Sequence, residues 1–336
     1  MRLDRDRTID SSTATADAEF RACAGRTIVE KLDRLVAAVD RVRSVEDPEA
    51  IRDLRVASRR LRSTLQLFRP LYGCSEYGRL VKAIGEVTRS LGRARDLDVH
   101  ITELTREAAA MPAAQRGILL GLVHRLTTER QTAQMRVEAA LERITRFDPM
   151  ARFSRICTIQ AARPTAISKA DHVKHMAIPP HRVSVDPVGY PIAGLIAERV
   201  RDLIRWEPFL KDPSRVSEHH SMRIAVKRLR YSLEVYGAAA GDRAAEAQGQ
   251  LKKLQDILGA IHDLDVIVPI LSRALRVALR PGQRAGRWQK VDYSSIAGVA
   301  GLCERKLNHR TCLLADLENE WRSMRRQGFV DTLRAA

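Results

Sequence analysis

Two short segments of the sequence carry rows of basic residues at helical spacing. In each row the cations follow one another at spacings of four and then three, and the second row repeats the first at a numbering offset of 168. The rows are Arg55, Arg59, Arg62 and Arg223, Lys227, Arg230. At about 100° per residue, this spacing places the three cations in one arc of a helix, away from an apolar arc. No acidic residue lies within either row. Because like charges on adjacent turns repel, each row predicts an anion supplied from outside the helix.

The arginine content of the rows indicates which kind of anion this is. A guanidinium group donates two hydrogen bonds from a planar fork and stays charged at every cellular pH, which suits phosphate. An ordinary solvated helix face mixes charges of both signs. The chain also carries a formal net charge of +17, which raises the local concentration of anions. The sequence therefore predicts a phosphate-rich polyanion as the ligand.

A second block repeats with nearly the same offset. Residues 91–99 (LGRARDLDV) recur as residues 258–266 (LGAIHDLDV), and each block follows a basic row. Each holds an Asp-Leu-Asp triplet, and such carboxylates can bind magnesium. Positions i and i+2 lie ~200° apart on a continuous helix, so no metal site is predicted. We expect these aspartates to cap a helix start after Gly92 or Gly259, or to pair with neighbouring arginines. They are Asp96, Asp98, Asp263 and Asp265.

The elements that carry these residues are predicted to be all-α. The long segments have apolar residues at three and four spacing, and none alternates like a strand. Predicted helices cover residues 19–45, 48–72, 76–110, 113–146, 188–206, 216–239, 244–278 and 293–329. The proline-containing interval 148–187 predicts an irregular linker, and residues 1–19 a flexible segment. The two halves, residues 20–147 and 188–331, are then each predicted to be a four-helix bundle.

Together these motifs resemble the CHAD domain, the conserved histidine α-helical domain. The resemblance rests on RVASRRLR at residues 55–62, on HSMRIAVKRLRY at residues 220–231, and on the two aspartate blocks that follow them. It covers about residues 20–330 of the chain. The resemblance implies two four-helix bundles related by a pseudo-twofold axis, with basic helices lining a central groove or pore. It also implies that the ligand is inorganic polyphosphate.

Carried over position by position, the resemblance implies a set of polyphosphate-binding residues. The family's histidine before the leading arginine is present as His220, but Arg52 occupies the matching position of the first half. His262 likewise stands where the first half has Arg95. Arginine keeps a hydrogen-bond donor and adds permanent charge, so anion binding does not depend on a histidine there. The predicted set is Arg52, Arg55, Arg59, Arg60, Arg62, Arg95, His220, Arg223, Lys227, Arg228, Arg230, Lys253 and His262.

Two alternatives stand beside a stand-alone polyphosphate-binding protein. A nucleic acid would satisfy the same arginine rows through its phosphates, but an aromatic content of 4% leaves few stacking platforms, so it is expected as a weaker competitor. The second alternative is an accessory domain that acts with an enzyme of polyphosphate metabolism. The sequence has neither the phosphate-binding loop of nucleotide-binding enzymes nor a nucleophile elbow, so neither catalysis nor a cofactor is predicted.

The predicted location is the cytoplasm, with association to polyphosphate granules. The five cysteines form neither a CxxC pair nor an even disulfide framework, which fits a reducing compartment. No apolar stretch near the start has the pattern of a signal peptide, and no later one approaches the length of a membrane span. No membrane interaction is expected, and the oligomeric state is left open.

Overall fold

The computed structural model describes residues 4–44, 48–161, 189–280, 283–284, 287–288 and 292–329. The helices there are α1 (Asp4–Ser44), α2 (Pro48–Leu67), α3 (Ser75–Ala110), α4 (Gly117–Phe147), α5 (Pro149–Ala161), α6 (Gly189–Ile204), α7 (Val216–Ala278) and α8 (Tyr293–Arg326). Single 3₁₀ turns lie at Arg69–Leu71, Ala113–Gln115 and Glu207–Phe209. A two-residue antiparallel pair joins Gln283–Arg284 to Arg287–Trp288. The prediction of an all-α fold is confirmed.

Helix α7 contains the two antiparallel segments that the sequence predicts. The helix assignment is continuous over 63 residues. At about 1.5 Å per residue, a straight helix would hold His220 and His262 roughly 60 Å apart. Their rings instead lie 4.7 Å apart, centroid to centroid. The chain therefore reverses direction between these two histidines, and the first segment of α7, which carries His220, packs beside the second segment, which carries His262.

Buried side chains form two clusters that divide the molecule differently from the sequence halves. The first cluster joins helices α1 to α5, whose leucines, isoleucines and aromatic residues recur at three and four spacing. It also includes Leu264 and Leu271 from α7, and Val299 and Leu302 from α8. The second cluster joins α6, residues of α7 between Met222 and Ile261, and the later part of α8. The boundary predicted at residues 148–187 thus does not separate the two cores, and a pseudo-twofold relation between two four-helix bundles stays a prediction.

Helix α8 contacts the first half through an unusually close approach. A Cβ atom on Gly298 would lie 2.7 Å from the carbonyl oxygen of Gln115, so only glycine fits against this 3₁₀ turn. Nearby, the Ser295 hydroxyl accepts a hydrogen bond from the Gly117 amide at 3.2 Å and donates one to the carbonyl of Ala114 at 3.3 Å. These contacts fix α8 against the start of α4.

The prediction of an irregular linker at residues 148–187 is wrong for its first part. Pro149–Ala161 is helix α5, and Phe153 and Ile156 are fully buried in the first cluster. Asp148 starts this helix: its backbone is left-handed, with φ 48°, and its carboxylate accepts a hydrogen bond from the Ala151 amide at 3.0 Å. Pro149 then occupies the first turn, where a missing amide hydrogen costs nothing. Residues 162–188 lie outside the described residues.

The predicted flexible segment at residues 1–19 is also corrected. Helix α1 begins at Asp4, and residues 1–3 lie outside the described part of the chain. Neither proline nor glycine occurs between Asp4 and Ala24, and alanines are frequent there. With no residue to break it, the helix continues toward the N-terminus from its buried part.

Candidate anion-binding site

The two basic rows lie on helices that contact each other. Nη2 of Arg60, on α2, lies 3.1 Å from Oε1 of Glu234, on α7. The guanidinium carbon of Arg59 lies 5.8 Å from the ring centroid of Tyr231. The rows belong to different halves of the sequence, so the fold brings distant repeats into one neighbourhood.

Five cations from three helices form what we call the basic cluster: Arg55, Arg59, Arg95, Arg223 and Lys227. Burial, together with the charges of Arg223 and Arg59, lowers the pKa of Lys227 to about 8. Burial also lowers the pKa of Arg55, with further contributions from Arg59 and Arg95. Cations from α2, α3 and α7 therefore repel one another across the contact between the halves.

Two donors of the basic cluster have no acceptor. Nε of Arg59 and Nε of Arg223 are buried, and within the described residues neither has a hydrogen-bond partner. A buried donor without an acceptor costs about 1–3 kcal/mol, and buried polar groups in folded proteins nearly always have partners. One donor from each row is thus available to an anion placed between the helices.

The aspartates of the repeated block divide into two pairs with different roles. The charges of Asp96 and Asp263 reach Arg223 and partly offset the repulsion within the basic cluster. Asp98 accepts a hydrogen bond from Nε of Arg130 at 2.7 Å, and Asp265 accepts one from Nε of Arg310 at 2.6 Å. Five cations face two carboxylates, so the basic cluster keeps a net positive charge.

The predicted capping role of these aspartates is wrong, because α3 and α7 continue through both blocks. Pairing with arginine is confirmed for Asp98 and Asp265. Their partners belong to α4 and α8, however, rather than to the neighbouring turns. These two ion pairs tie α3 to α4 and the second segment of α7 to α8, which orients the helices that carry Asp96 and Asp263.

His220 and His262 lie together at one end of the basic cluster. Their Nδ1 atoms are 3.3 Å apart. Burial, together with the charges of Arg223, His220 and Lys227, lowers the pKa of His262 to about 4. Burial, Arg223 and Lys227 also lower the pKa of His220, against a smaller opposing effect of Asp265. His262 is therefore neutral at pH 7, whereas the matching positions of the first half hold permanently charged arginines.

Beside the basic cluster lies a cavity of about 450 Å³, which we call the interhelical cavity. Residues of α1, α2, α6 and α7 line it, together with Arg69 of the following turn. Arg60 and Arg228 both contribute to its wall, and Nη1 of Arg228 lies 3.8 Å from a carboxylate oxygen of Asp202. Three further cations that the sequence did not single out line it: Lys31, Arg69 and Arg199.

A family model for the CHAD domain matches residues 26–271. The chain belongs to the CHAD domain family. Residues 26–271 include both basic rows and both aspartate blocks, so the match spans the basic cluster and the interhelical cavity. The resemblance inferred from the motifs is confirmed.

Solved structures agree with this assignment of the fold. A crystal structure of the CHAD domain from the plant Ricinus communis aligns with a TM-score of 0.55 at 21% identity, covering 90% of each chain. PptA from Streptomyces chartreusis aligns with a TM-score of 0.59 at 16% identity, covering 90% of this chain and 98% of that one. At these identities the likeness establishes the fold alone. No curated protein matches the sequence.

In this CHAD domain the predicted binding residues fall into separate places. The basic cluster and the histidine pair bring together Arg55, Arg59, Arg95, His220, Arg223, Lys227 and His262. Arg52 is exposed at the start of α2, pairs with Glu49 at 3.1 Å, and adds its charge to the field at Arg55. Arg60 and Arg228 line the interhelical cavity instead.

Three predicted residues are not members of the basic cluster, although Arg230 approaches the same Tyr231 ring as Arg59. Arg62 faces Arg89 of α3, whose charge adds to burial in lowering the pKa of Arg62. Arg230 has its guanidinium carbon 5.7 Å from the ring centroid of Tyr231. Lys253 is exposed on the second segment of α7, and no described contact joins it to the basic cluster. Helical spacing placed Arg62 and Arg230 in the same arc as the other cations of their rows but did not give the direction of each extended side chain.

Neither a metal site nor a membrane span accompanies these features in the described ranges. Among these residues, no group of three or more histidine, cysteine, aspartate or glutamate side chains is arranged to hold a metal ion. No helix among the described elements combines the length and apolar character that a bilayer span needs.

Proposed function

We propose that this CHAD domain binds inorganic polyphosphate through the basic cluster. The observation that carries the proposal is the pair of buried, unpartnered Nε donors of Arg59 and Arg223, one from each basic row. A phosphate group between α2 and α7 would accept from both donors and would neutralise the repulsion around Lys227. The guanidinium fork matches the spacing of phosphate oxygens and stays charged at cellular pH, so arginine is well suited to hold phosphate groups.

A linear polymer fits this arrangement better than a single phosphate group. The excess positive charge is spread over α2, α3 and α7, and the interhelical cavity adds further cations at its side. A ligand with one charge per repeating unit would offset many of these cations with a single loss of translational freedom. The chain belongs to the CHAD family, and the resemblance to this family implied polyphosphate as the ligand. Family membership therefore supports the same proposal.

The proposed role is binding without catalysis. Guanidinium groups remain protonated at cellular pH, so they hold and orient phosphate but do not take up a proton from an attacking water. His262, with a pKa of about 4, is neutral in the protein at pH 7, and it contacts His220 rather than a carboxylate that would activate it. We propose that binding recruits the protein to polyphosphate granules in the cytoplasm or presents the polymer to an enzyme partner.

A competition experiment tests the proposed ligand. Long-chain polyphosphate, DNA and RNA of similar charge would compete for the whole chain at several salt concentrations. We expect polyphosphate to displace both nucleic acids at physiological salt, because the cluster offers few aromatic faces for base stacking. If DNA or RNA binds more tightly than polyphosphate under those conditions, the protein is a nucleic-acid-binding protein and the proposal fails.

A further inference from the structure

The interhelical cavity is built from matching positions of the two halves. Five pairs of its lining residues share the numbering offset of 168 that relates the basic rows. They are Lys31 with Arg199, Arg60 with Arg228, Ser63 with Tyr231, Thr64 with Ser232, and Gln66 with Glu234. Two of the pairs are cationic on both sides. The cavity thus lies where the repeats meet, and its wall continues the chemistry of the basic cluster.

The pair Gln66 and Glu234 differs in charge between the two halves. Gln66 is neutral, whereas its counterpart Glu234 is a carboxylate that lies 3.1 Å from the guanidinium of Arg60. The other carboxylate of the wall, Glu30, pairs within its own helix, with Arg34 at 2.7 Å and with Lys31 at 3.7 Å. Glu234 is therefore the wall carboxylate that bridges α7 to a cation of α2.

The position of Glu234 allows it to weaken the binding of an anion in two ways. Its carboxylate occupies the donors of Arg60 that a phosphate group would use, and its charge repels a polyanion that enters the cavity. Both side chains are partly exposed, at 41% for Arg60 and 37% for Glu234, so the ion pair is accessible and screened by water. An exposed pair of this kind separates at small cost when a more highly charged partner competes for the arginine.

We propose that Glu234 is an internal competitor that limits how tightly the interhelical cavity holds polyphosphate. This inference rests on the proposed function and deepens it, since it assigns the cavity as a second contact for the same polymer. A phosphate group displaces the Glu234 carboxylate from Arg60, and the freed cation joins Lys31 and Arg199 around the polymer. At the matching site Gln66 is neutral, and the carboxylate near Arg228 is Asp202, at 3.8 Å, which does not line the cavity.

The first experiment compares two variants that lose one negative charge from the same helix. Glu234→Gln removes the competitor and keeps the shape of the side chain. Glu246→Gln is the matched control, because Glu246 is exposed on α7 and does not line the cavity. We expect Glu234→Gln to bind long-chain polyphosphate about two- to fivefold more tightly than the control, the range expected for a partly exposed ion pair.

Equal affinities of the two variants would overturn the proposal, since the effect would then reflect net charge alone. Weaker binding by Glu234→Gln would also overturn it, because Glu234 would then position Arg60 for the ligand. If neither the wild type nor any variant binds polyphosphate, the proposed function itself has failed. Thermal melting of each variant establishes that the fold is retained.

A reciprocal substitution tests the same idea from the first half. Gln66→Glu places a carboxylate opposite Arg228 at the position that matches Glu234. We expect this variant to bind polyphosphate more weakly than the wild type, by about the same two- to fivefold as above. In the Arg60→Ala background, Glu234→Gln should lose most of its effect, because the competition acts through that guanidinium. An undiminished effect there would contradict the proposal.

Discussion

The basic rows of α2 and α7 share one spacing but hold their charge differently. The first row consists of arginines only, and Arg52 and Arg95 occupy the positions of the first half that correspond to His220 and His262. The second row has Lys227 in its centre, with His220 and His262 at its end. Arginine keeps its proton under all cellular conditions, whereas burial among cations brings Lys227 to a pKa of about 8.

This difference shows that a repeat can preserve geometry while changing proton chemistry. The first half offers a permanent anchor for an anion. The second half offers one whose charge depends on pH and on what is bound beside it, because a nearby anion favours the protonated forms of lysine and histidine. A polyanion that touches both rows would meet a fixed site and an adjustable site at once.

The largest expected effect comes from removing either half of the basic cluster. Arg55→Ala with Arg59→Ala, and Arg223→Ala with Lys227→Ala, each remove two charge-assisted contacts. At about 1.5–3 kcal/mol per contact, each double variant should bind polyphosphate roughly 100-fold or more weakly than the wild type, as measured by equilibrium titration.

The matched pair of variants also tests whether the site is shared. Because these cations repel one another, their loss should leave the melting temperature unchanged or slightly raised. Adding Arg62→Ala or Arg230→Ala to the respective variant should cost little more, since these arginines lie outside the basic cluster. Wild-type binding by one double variant, with complete loss in the other, would show that only one half carries the site.

A rise in salt concentration should also lower the affinity for polyphosphate, by less than the double substitutions do. By analogy with single-stranded nucleic acids, each neutralised phosphate contributes about −0.7 to the log–log slope, so five cations predict roughly 100-fold weaker binding over a fourfold rise in salt. Both double variants should give slopes shallower by the same amount. A flat salt dependence would indicate a small ligand selected by shape instead of a polyanion.

The pH dependence of binding should distinguish the two rows. Lys227 loses its proton as pH rises through about 8, so we expect polyphosphate affinity to fall about tenfold between pH 7.5 and 9.5. Lys227→Arg should flatten that fall, because arginine stays charged. Arg59→Lys, the reciprocal change at the matching position, should make the fall steeper. An equally steep fall in Lys227→Arg would assign it to another group.

The smallest expected effect concerns stability in acid. The pKa of His262 in the folded chain, about 4, lies below its ordinary 6.5, so the unfolded chain takes up the proton first as pH falls. Stability should therefore be lost between pH 6.5 and 4. The melting temperature of His262→Gln should fall less over this range, by about 2 °C. His309→Gln, which changes an exposed histidine of α8, serves as the control and should melt like the wild type.

The repeat allowed much of the site to be predicted from the sequence. An offset of 168 between the basic rows indicated that α2 and α7 hold equivalent places, and the fold brings Arg59 close to Lys227. The periodicity of leucines predicted the helices, and α7 covers both segments that were predicted at residues 216–239 and 244–278. These features depend on residues close together in sequence or related by the repeat, and both kinds of signal are visible in one chain.

Contacts between helices were less accessible from the sequence. The partners of Asp98 and Asp265 are Arg130 and Arg310, whose positions in the numbering do not follow the offset of the repeat. Helix α5 did have a local signal: Asp148-Pro149 repeats the Asp47-Pro48 pattern that marks the start of α2. The prolines farther along the predicted linker obscured that signal, and the burial of Phe153 became evident only from the fold.

The first hydrophobic cluster contains residues from both ends of the sequence, and this constrains the order in which the chain folds during synthesis. Its apolar cluster is completed by Leu264, Leu271, Val299 and Leu302, which leave the ribosome long after helices α1 to α5. Until then, the leucines that will contact them remain open to water and to other chains. We therefore expect fragments that end near residue 161 to aggregate or to recruit chaperones, whereas the chain extended past Leu302 can close that surface.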